Sequence, residues 1–309
     1  MNFRQLGKSG LTVSVVGLGA NNFGGRLDLE RTRAVVDAAL DMGINLIDTA
    51  DIYGNQGGSE DQLGQVLIGR RDDVVLATKF GQDMGDGYGP ARGSRRYIRR
   101  AVEASLKRLR TDYIDLYQYH TPDNITPLDE TLAALDELVQ EGKVRYIGSS
   151  NLTAWQVVDS EWIARTQNRP RFISAQNHYS LLERDAQVEL LPACERVGVG
   201  VLPYFPLAQG LLTGKHKRGQ APVEGSRVAE RPHLITDEAL DKVEALEQFA
   251  AERDHTVLEL AFAGLLAQPS VSSVIAGATK PDQIKANVSA GEWTLTPGDV
   301  ADLKILLDR

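Results

Sequence analysis

The sequence is poor in the residues that build disulfides and metal sites. Cys194 is its single cysteine, so a disulfide within the chain is excluded and a buried, inert thiol is expected. The five histidines are scattered and form no His-x-His pair after the first predicted strand; they are His120, His178, His216, His233 and His255. Because a metal-dependent hydrolase needs clustered ligands, we expect no metal.

Excess positive charge and long apolar runs are also missing. Lysine and arginine total 34 against 42 aspartate and glutamate residues, which gives a net charge of -8. Such a chain repels nucleic acid and anionic lipid, and the arginine-rich stretch 92–110 is interpreted as a solvated helix face. No apolar run approaches the roughly 18 residues that span a bilayer, and residues 1–6 lack the pattern of a secretory signal. We therefore expect a cytoplasmic protein without nucleic-acid or membrane partners.

Linker-like segments are scarce as well. Neither low-complexity repeats nor proline- and serine-rich stretches interrupt the 309 residues, of which 42% are hydrophobic and 25% charged. That balance is typical of a soluble globular protein. Because α/β barrels routinely exceed about 200 residues as one unit, we predict a single domain over residues 1–309.

Short β-rich segments alternate with helical stretches along most of the chain. We predict eight strands, at Val13–Leu18, Asn45–Thr49, Val74–Lys79, Ile114–Tyr119, Tyr146–Ser149, Phe172–Gln176, Val199–Pro203 and Ser273–Ala276. This alternation is typical of repeated βα units on a parallel sheet, and eight strands close a barrel. The predicted fold class is therefore α/β, a (β/α)8 TIM barrel.

The segments between the strands have helical periodicity, clearest in Arg95–Leu109, where apolar residues recur at three-to-four spacing. The other predicted barrel helices are Glu30–Met42, Ser59–Ile68, Pro127–Glu141, Asp185–Arg196 and Asp282–Ala290. Two extra helices, Asp237–Arg253 and Pro297–Leu307, lie outside the eightfold repeat. Residues 3–6 and 11–13 are predicted to form an N-terminal β-hairpin in front of the barrel.

One glycine-rich segment points to a different fold. Residues 17–24 follow a strand and are similar to a dinucleotide-binding fingerprint, but Asn22 occupies the place of the third glycine. The eightfold alternation also favours a closed barrel over a doubly wound sheet. The fingerprint interpretation is therefore set aside.

Polar residues close three consecutive predicted strands. Asp48 ends the second strand, which runs into Tyr53, while Lys79 ends the third and His120 follows the fourth. In an α/β barrel the active site lies at these strand ends. A tyrosine gives up its proton near neutral pH only beside a cation, so Lys79 would stabilise the Tyr53 phenolate and Asp48 would keep Lys79 charged. His120 would orient and polarise a substrate carbonyl.

Three longer segments resemble signature stretches of the aldo-keto reductase superfamily. They are NLIDTADIYG at 45–54, SLKRLRTDYIDLYQYH at 105–120 and GKVRYIGSSN at 142–151, and the likeness extends over essentially the whole chain. The resemblance implies that the four polar residues just named are the catalytic tetrad. It also implies a reversible, NADPH-dependent reduction of an aldehyde or ketone to an alcohol, in which Tyr53 protonates the developing alkoxide.

The same resemblance implies which residues hold the cofactor. Ser150, Asn151 and Gln176 would hold the nicotinamide carboxamide, and Tyr204 would stack on its ring. Residues 204–215 are similar to the family's pyrophosphate-binding loop, and residues 277–287 open a helix whose N-terminus suits a ribose phosphate. In and near these two segments the expected cofactor residues are Pro206, Leu207, Gly210, Leu211, Lys215, Arg227, Gly277, Thr279, Lys280, Gln283 and Asn287.

Two departures from the family pattern bear on specificity. Many relatives have arginine, a bidentate partner for a 2′-phosphate, where this chain has Thr279. The adjacent Lys280 could substitute for it, so NADPH is expected with NADH as the alternative. Many also place tryptophan or methionine in the pocket wall where this chain has Asn residues within 19–23, so the small-molecule carbonyl or alcohol substrate is not specified. The long irregular stretches 81–93 and 205–235 are expected to shape a broad mouth. The expected pocket residues are Phe23, Tyr88, Trp155 and His178.

A regulatory protein is the alternative function. Potassium-channel β subunits share the fold, cofactor and tetrad that the resemblance implies, and such a protein would bind NADP(H) with little turnover. That role usually comes with a partner-binding extension, and the sequence begins and ends close to the predicted barrel. A catalyst is therefore expected, while the oligomeric state and the direction of the reaction stay open.

Overall fold

The structure, a computed structural model, describes residues 1–308. The strands of this region are β1 (Phe3–Gln5), β2 (Thr12–Ser14), β3 (Val16–Gly19), β4 (Leu46–Asp48), β5 (Val75–Phe80), β6 (Ile114–Tyr119), β7 (Val144–Ser150), β8 (Phe172–Gln176), β9 (Gly200–Val201) and β10 (Val274–Gly277). Its helices are α1 (Leu29–Asp41), α2 (Tyr53–Val66), α3 (Arg95–Leu109), α4 (Leu128–Gln140), α5 (Ala154–Thr166), α6 (Leu190–Val197), α7 (Arg227–Glu230), α8 (Asp237–Ala251), α9 (Val257–Leu266), α10 (Pro281–Ala290) and α11 (Pro297–Leu307).

Eight parallel strands form the barrel. They pair in the order β10-β3-β4-β5-β6-β7-β8-β9, so the last strand returns beside the first. The gap between β9 and β10 is bridged by backbone hydrogen bonds, in which Val201 N donates to the Ser270 carbonyl (2.7 Å) and Ser272 N donates to the Val201 carbonyl (3.0 Å). The predicted (β/α)8 barrel is confirmed.

The N-terminal hairpin closes one end of the barrel. Its strands β1 and β2 pair antiparallel, with Arg4 opposite Val13. Leu6 and Val13 are fully buried and pack with residues that point into the barrel, such as Leu46 and Leu116. Since alternate residues of a strand face opposite sides, these inward residues fill the N-terminal half of the barrel and leave its other end for polar groups.

The outer layer is held by amphipathic helices. In α3, which spans the predicted range, Ile98, Val102 and Leu109 are buried against the strands while three of its arginines, Arg95, Arg96 and Arg100, face solvent. Full burial of such a side chain stabilises the fold by roughly 1.5–3 kcal/mol. The two extra helices are also present as predicted: α8 and α11 pack with α9 in a separate hydrophobic cluster that includes Val243 and Leu303.

Two predicted elements are divided in the structure. The predicted strand 13–18 is split between β2 and β3, because the Ser14 hydroxyl donates to the Val16 carbonyl (2.7 Å) and the Ser14 N–H donates to Asn45 Oδ1 (2.7 Å). The predicted helix 185–196 begins as a short 3-10 turn, and α6 starts at Leu190. None of the helices in residues 1–308 is both long and apolar enough to cross a membrane.

Candidate active site

A cavity of about 610 Å³ opens at the C-terminal ends of the barrel strands. It is lined by residues that follow β3, β4, β6, β7, β8 and β9, and by the first turns of α10. Asp48, Tyr53 and His120 all contribute to its wall. The volume falls in the range of small-molecule and cofactor sites, roughly 300–1,000 Å³. This is the end of the barrel at which active sites of this architecture lie.

A buried ion pair lies at the base of this cavity, with Asp48 in the lining and Lys79 behind it. Lys79 is fully buried, and its Nζ lies 2.6 Å from Asp48 Oδ2 and 2.7 Å from the Thr49 carbonyl oxygen. The two residues end neighbouring strands, which is why their side chains meet inside the barrel. Burial acts to lower the pKa of Lys79, but the Asp48 carboxylate and the Tyr53 hydroxyl outweigh it, so the pKa lies above its ordinary value. Lys79 is therefore a cation at neutral pH.

Tyr53 stands beside this cation at the start of α2. Its hydroxyl lies 3.4 Å from Lys79 Nζ, and its ring meets the His120 ring edge-on at 5.8 Å between centroids. Burial raises the pKa of the Tyr53 hydroxyl above its ordinary value, although Lys79 acts in the opposite direction. The hydroxyl is accordingly protonated at neutral pH, the state that a proton donor requires.

His120 completes the group as an uncharged ring. Burial and then the charge of Lys79 lower its pKa to about 3. Its Nδ1 is buried and has no hydrogen-bond partner among residues 1–308. A neutral imidazole at the cavity wall can donate an N–H to a carbonyl oxygen without adding a second positive charge beside Lys79.

Two glutamines hold the carboxylate in place. Gln118 Nε2 and Gln176 Nε2 donate to Asp48 Oδ1 at 3.0 Å and 2.9 Å. Gln176, which was predicted to hold a cofactor amide, lines the cavity and uses one of its amide hydrogens in this bond to Asp48. The sequence reasoning missed Gln118. The available signal was its position two residues before His120 on the same strand, which places both side chains on the inner face.

The structure brings most of the predicted cofactor residues to the same cavity. Those that line it are Ser150, Asn151, Gln176, Tyr204, Pro206, Leu207, Gly210, Lys215, Arg227, Gly277, Thr279, Gln283 and Asn287. Leu211 does not line the cavity, because it is buried in the hydrophobic cluster of α8, α9 and α11. Lys280 does not line it either, because it is exposed to solvent just before α10. The cavity therefore runs from the tetrad to the N-terminus of α10.

Asn151 joins the two halves of the cavity. Its Nδ2 donates to the His120 carbonyl oxygen (2.9 Å), and its Oδ1 accepts the Tyr204 hydroxyl (2.9 Å). Behind Tyr204 the His178 ring is stacked at 5.3 Å between centroids, with the planes almost parallel. His178, a predicted pocket residue, thus supports Tyr204 and does not line the cavity.

The other three predicted pocket residues also lie elsewhere. Phe23 is fully buried in the core, because Gly24 (φ +69°) packs so closely on Gly58 that the loop folds inward; a Cβ on Gly24 would lie 2.3 Å from the Gly58 carbonyl carbon. Tyr88 packs on Tyr97 at 4.9 Å between ring centroids, on the loop after β5. Trp155 is 66% exposed on α5 and lines a separate surface depression.

Some cavity residues were not predicted individually, although all of those named next except Arg26 lie in the stretches 19–23 and 205–235, which were linked to the pocket wall and its mouth. They are chiefly Asn21, Asn22, Arg26, Phe205, Gln209 and His216. Arg26 forms an ion pair with Glu230 of α7, and Arg227 Nη2 donates to Asn22 Oδ1 at 3.4 Å. These contacts join loops that are distant in the sequence, so periodicity carried no signal for them. Within the described chain, no group of three or more His, Cys, Asp or Glu side chains is arranged to hold a metal ion.

Known proteins resemble this chain over nearly its full length. Residues 15–308 match the Aldo/keto reductase family. The chain is 40% identical over 305 residues to an "Uncharacterized oxidoreductase YrpG" of Bacillus subtilis (strain 168), covering 96% of this chain and 92% of that protein.

Two other relatives have more specific names. A "Probable voltage-gated potassium channel subunit beta" of Oryza sativa subsp. japonica is 36% identical over 302 residues, or 94% of this chain and 91% of that protein. An "L-glyceraldehyde 3-phosphate reductase" of Escherichia coli (strain K12) is 35% identical over 303 residues, or 94% and 87%. These matches confirm the resemblance carried by the three signature-like segments. The chain belongs to the aldo/keto reductase family.

Proposed function

We propose that this chain is an NADPH-dependent reductase that converts an aldehyde or ketone to an alcohol, with Tyr53 as the proton donor. The observation that carries the proposal is the position of the Tyr53 hydroxyl, 3.4 Å from the buried Lys79 ammonium. A protonated phenol beside a fixed cation can release its proton to a developing alkoxide, because the cation stabilises the phenolate that remains.

The other residues of the site act on position and charge. Asp48, held by Lys79 and two glutamines, keeps the lysine charged and its Nζ directed at the phenol oxygen. His120 is neutral, so its ring would donate a hydrogen bond to the substrate oxygen and orient the carbonyl toward Tyr53. Together they lower the barrier for proton delivery at one atom, the hydroxyl oxygen of Tyr53.

The far half of the cavity fits a dinucleotide phosphate. Its lining includes the cationic side chains Arg26, Lys215 and Arg227. The first residue before α10, Lys280, makes no side-chain cap. Within the described chain the Asp282 N–H is the group of the first turn left for an anion, because Pro281 has no N–H and the Gln283 N–H donates to the Lys280 carbonyl at 3.1 Å. These residues would hold the phosphates, and a bound nicotinamide would supply the hydride that reduces the carbonyl carbon.

The preference between NADPH and NADH depends on opposing charges at this end. Asp282 lines the cavity beside Thr279 and would repel a 2′-phosphate, whereas the three cations would attract one. Because the cations are in excess, we propose NADPH, with NADH as the alternative. Family membership and the reductase name of one relative support carbonyl reduction.

The decisive experiment is the decay of NADPH absorbance, and separately of NADH absorbance, with simple aldehydes, ketones and dicarbonyls. Tyr53→Phe should lower turnover by about 10²- to 10⁴-fold and leave NADPH binding nearly intact, because the hydroxyl acts on the alkoxide. The matched control is Tyr113→Phe, since the Tyr113 hydroxyl contacts Asp72 at the opposite end of the barrel.

Each outcome of this experiment has a definite meaning. Unchanged turnover in Tyr53→Phe would refute the assigned proton donor. Tight NADPH binding by the wild-type chain without turnover on any substrate would favour the regulatory alternative. Faster turnover with NADH than with NADPH would overturn the proposed cofactor preference and leave the reaction class standing.

A further inference from the structure

A buried polar cluster lies just outside the strands that bear the tetrad. This outer cluster consists of Asp51, Glu60, Thr78, Tyr97, Arg108 and Tyr117. Its members come from the segment after β4, from α2 and α3, and from β5 and β6. Since Lys79 points into the barrel, Thr78 beside it points outward. The outer cluster is thus separated from the cavity by one layer of strands.

Two carboxyl groups of the outer cluster differ sharply in their partners. Glu60 accepts the Thr78 hydroxyl at 2.6 Å and the Arg108 Nε–H at 2.6 Å. Asp51 is 1% exposed, and neither of its oxygens accepts a hydrogen bond of normal geometry from residues 1–308. The Tyr117 hydroxyl, in the same cluster, is likewise without a partner in the described chain. The surroundings of Glu60 therefore stabilise a charged carboxylate, whereas those of Asp51 do not.

The charge balance leads to the same conclusion. Arg108 is the cation of the outer cluster, and Glu60 already neutralises it at 2.6 Å. Lys79 lies on the inner side and is paired with Asp48. A charged Asp51 would therefore be a second anion without a counterion in a buried site, which a protein avoids by keeping the carboxyl protonated.

Asp51 is also tied to the catalytic residues. Its backbone N–H donates to the Lys79 carbonyl at 3.1 Å, and Tyr53 follows two residues later. Residues 54–57, directly after Tyr53, all have positive φ angles, so this part of α2 is a left-handed turn, in which the Gln56 N–H donates to the Ile52 carbonyl at 3.2 Å, and not a regular right-handed helix. The orientation of Tyr53 depends instead on how residues 49–53 rest on the barrel.

We propose that Asp51 is a positioning residue that acts in its uncharged form, keeping the segment that bears Tyr53 packed on the barrel. Loss of its proton places two anions side by side beneath this segment, displaces it, and moves the Tyr53 hydroxyl away from Lys79. The inference rests on the proposed role of Tyr53 as proton donor. Turnover would accordingly decline on the alkaline side as Asp51 ionises.

The electrostatic environment supports this reading of the cluster. Burial and then Glu60 raise the pKa of Asp51 to about 8, while Arg108, a backbone N–H contact from Ile52 outside normal hydrogen-bond geometry, and Lys79 act in the opposite direction. The tyrosines that face the site, Tyr97 and Tyr117, have raised pKa values and stay neutral in this range. The ionisation that matters near pH 8 is therefore that of Asp51.

The test compares pH–turnover profiles of wild type, Asp51→Asn and Asp51→Ala, with Asp41→Asn as an exposed control. Asparagine imitates the uncharged carboxyl, so it should rescue the turnover that alanine loses and move the alkaline midpoint upward by about one pH unit or more. The control should keep the wild-type midpoint. Coincident midpoints for wild type and Asp51→Asn would overturn the proposal, as would equal losses in the asparagine and alanine variants.

A second measurement does not depend on turnover. If Asp51 is protonated in the folded chain, wild type loses stability relative to Asp51→Asn as the pH rises from about 4 to about 8, because only the unfolded chain ionises there. Urea midpoints of the two proteins should diverge over that range. A difference in urea midpoint between wild type and Asp51→Asn that does not change with pH overturns the inference, even if the reductase is active. If wild type shows no turnover but the urea midpoints of the two proteins diverge, the proposed function alone is refuted. The inference that Asp51 is uncharged in the folded chain then stands.

Discussion

Removing the buried lysine should cost both stability and activity. In Lys79→Met, the Asp48 carboxylate loses the ammonium at 2.6 Å and keeps only neutral amide donors from Gln118 and Gln176. Side-chain exposures of 0% and 4% mean that water does not compensate. Breaking a buried pair by removing one partner typically costs about 3–5 kcal/mol, so we expect the free energy of unfolding to fall by that amount.

The double variant Asp48→Asn with Lys79→Met separates the ion pair from the chemistry. It removes both charges and leaves an amide that can still bond to the two glutamines, so about 1–3 kcal/mol of the lost stability should return. Turnover should not return, because Tyr53 still lacks the cation that stabilises its phenolate. Loss of that cation should lower turnover by about 10²-fold or more.

Urea unfolding followed by fluorescence, together with NADPH consumption, checks both expectations. Lys107→Met is the matched control, because Lys107 is exposed on α3, and it should change stability by no more than about 0.5 kcal/mol. A Lys79→Met variant as stable as this control would refute the reasoning about the buried charge. A double variant that regains turnover would refute the catalytic role of the lysine.

Two further predictions concern a histidine and a glycine. Because the folded pKa of His120 is about 3, below its ordinary 6.5, His120 should destabilise wild type relative to His120→Gln by about 2 kcal/mol at pH 5 and by little at pH 7, as measured by urea unfolding. An unchanged difference would mean that His120 titrates normally. Gly24→Ala should lower the free energy of unfolding by roughly 2 kcal/mol or more, since its Cβ would meet the Gly58 backbone at 2.3 Å. The control is Gly69→Ala: Gly69 has a positive φ but open space around it, so the free energy of unfolding should fall by only about 1 kcal/mol. Equal losses of stability in the two variants would contradict the importance of the Gly24–Gly58 contact.

The strand ends of the site could be predicted from the sequence. Asp48 and Lys79 close strands that were visible as short β-rich segments, and His120 follows a third. In a closed parallel barrel, residues at successive strand ends must converge, so a linear pattern was enough to bring them together. The same reasoning could have found Gln118, which shares the inner face with His120.

The loop residues could not be predicted in this way. Phe23 turned into the core because Gly24 and Gly58 touch, and Tyr88, on the loop after β5, packed on Tyr97. A side chain in a loop takes its direction from contacts that are distant in the sequence, for which neither period 2 nor period 3.6 is informative. Predictions drawn from family resemblance inherit this weakness wherever the loops differ.

The division between strands and loops also separates two properties of the site. The hydrogen bonds that the Asp48 carboxylate and the Lys79 ammonium make to other groups of the described chain involve β4, β5, β6, β8, the segment after β4 and Tyr53 at the start of α2. By contrast, Arg26 reaches the cavity from the loop after β3 and Arg227 from the short helix α7, and these two segments contact each other through Arg26–Glu230 and Arg227–Asn22. Changes in residues 205–235 should therefore alter which molecules bind and how tightly, while the Asp48–Lys79 ion pair, held by buried strand residues, stays intact.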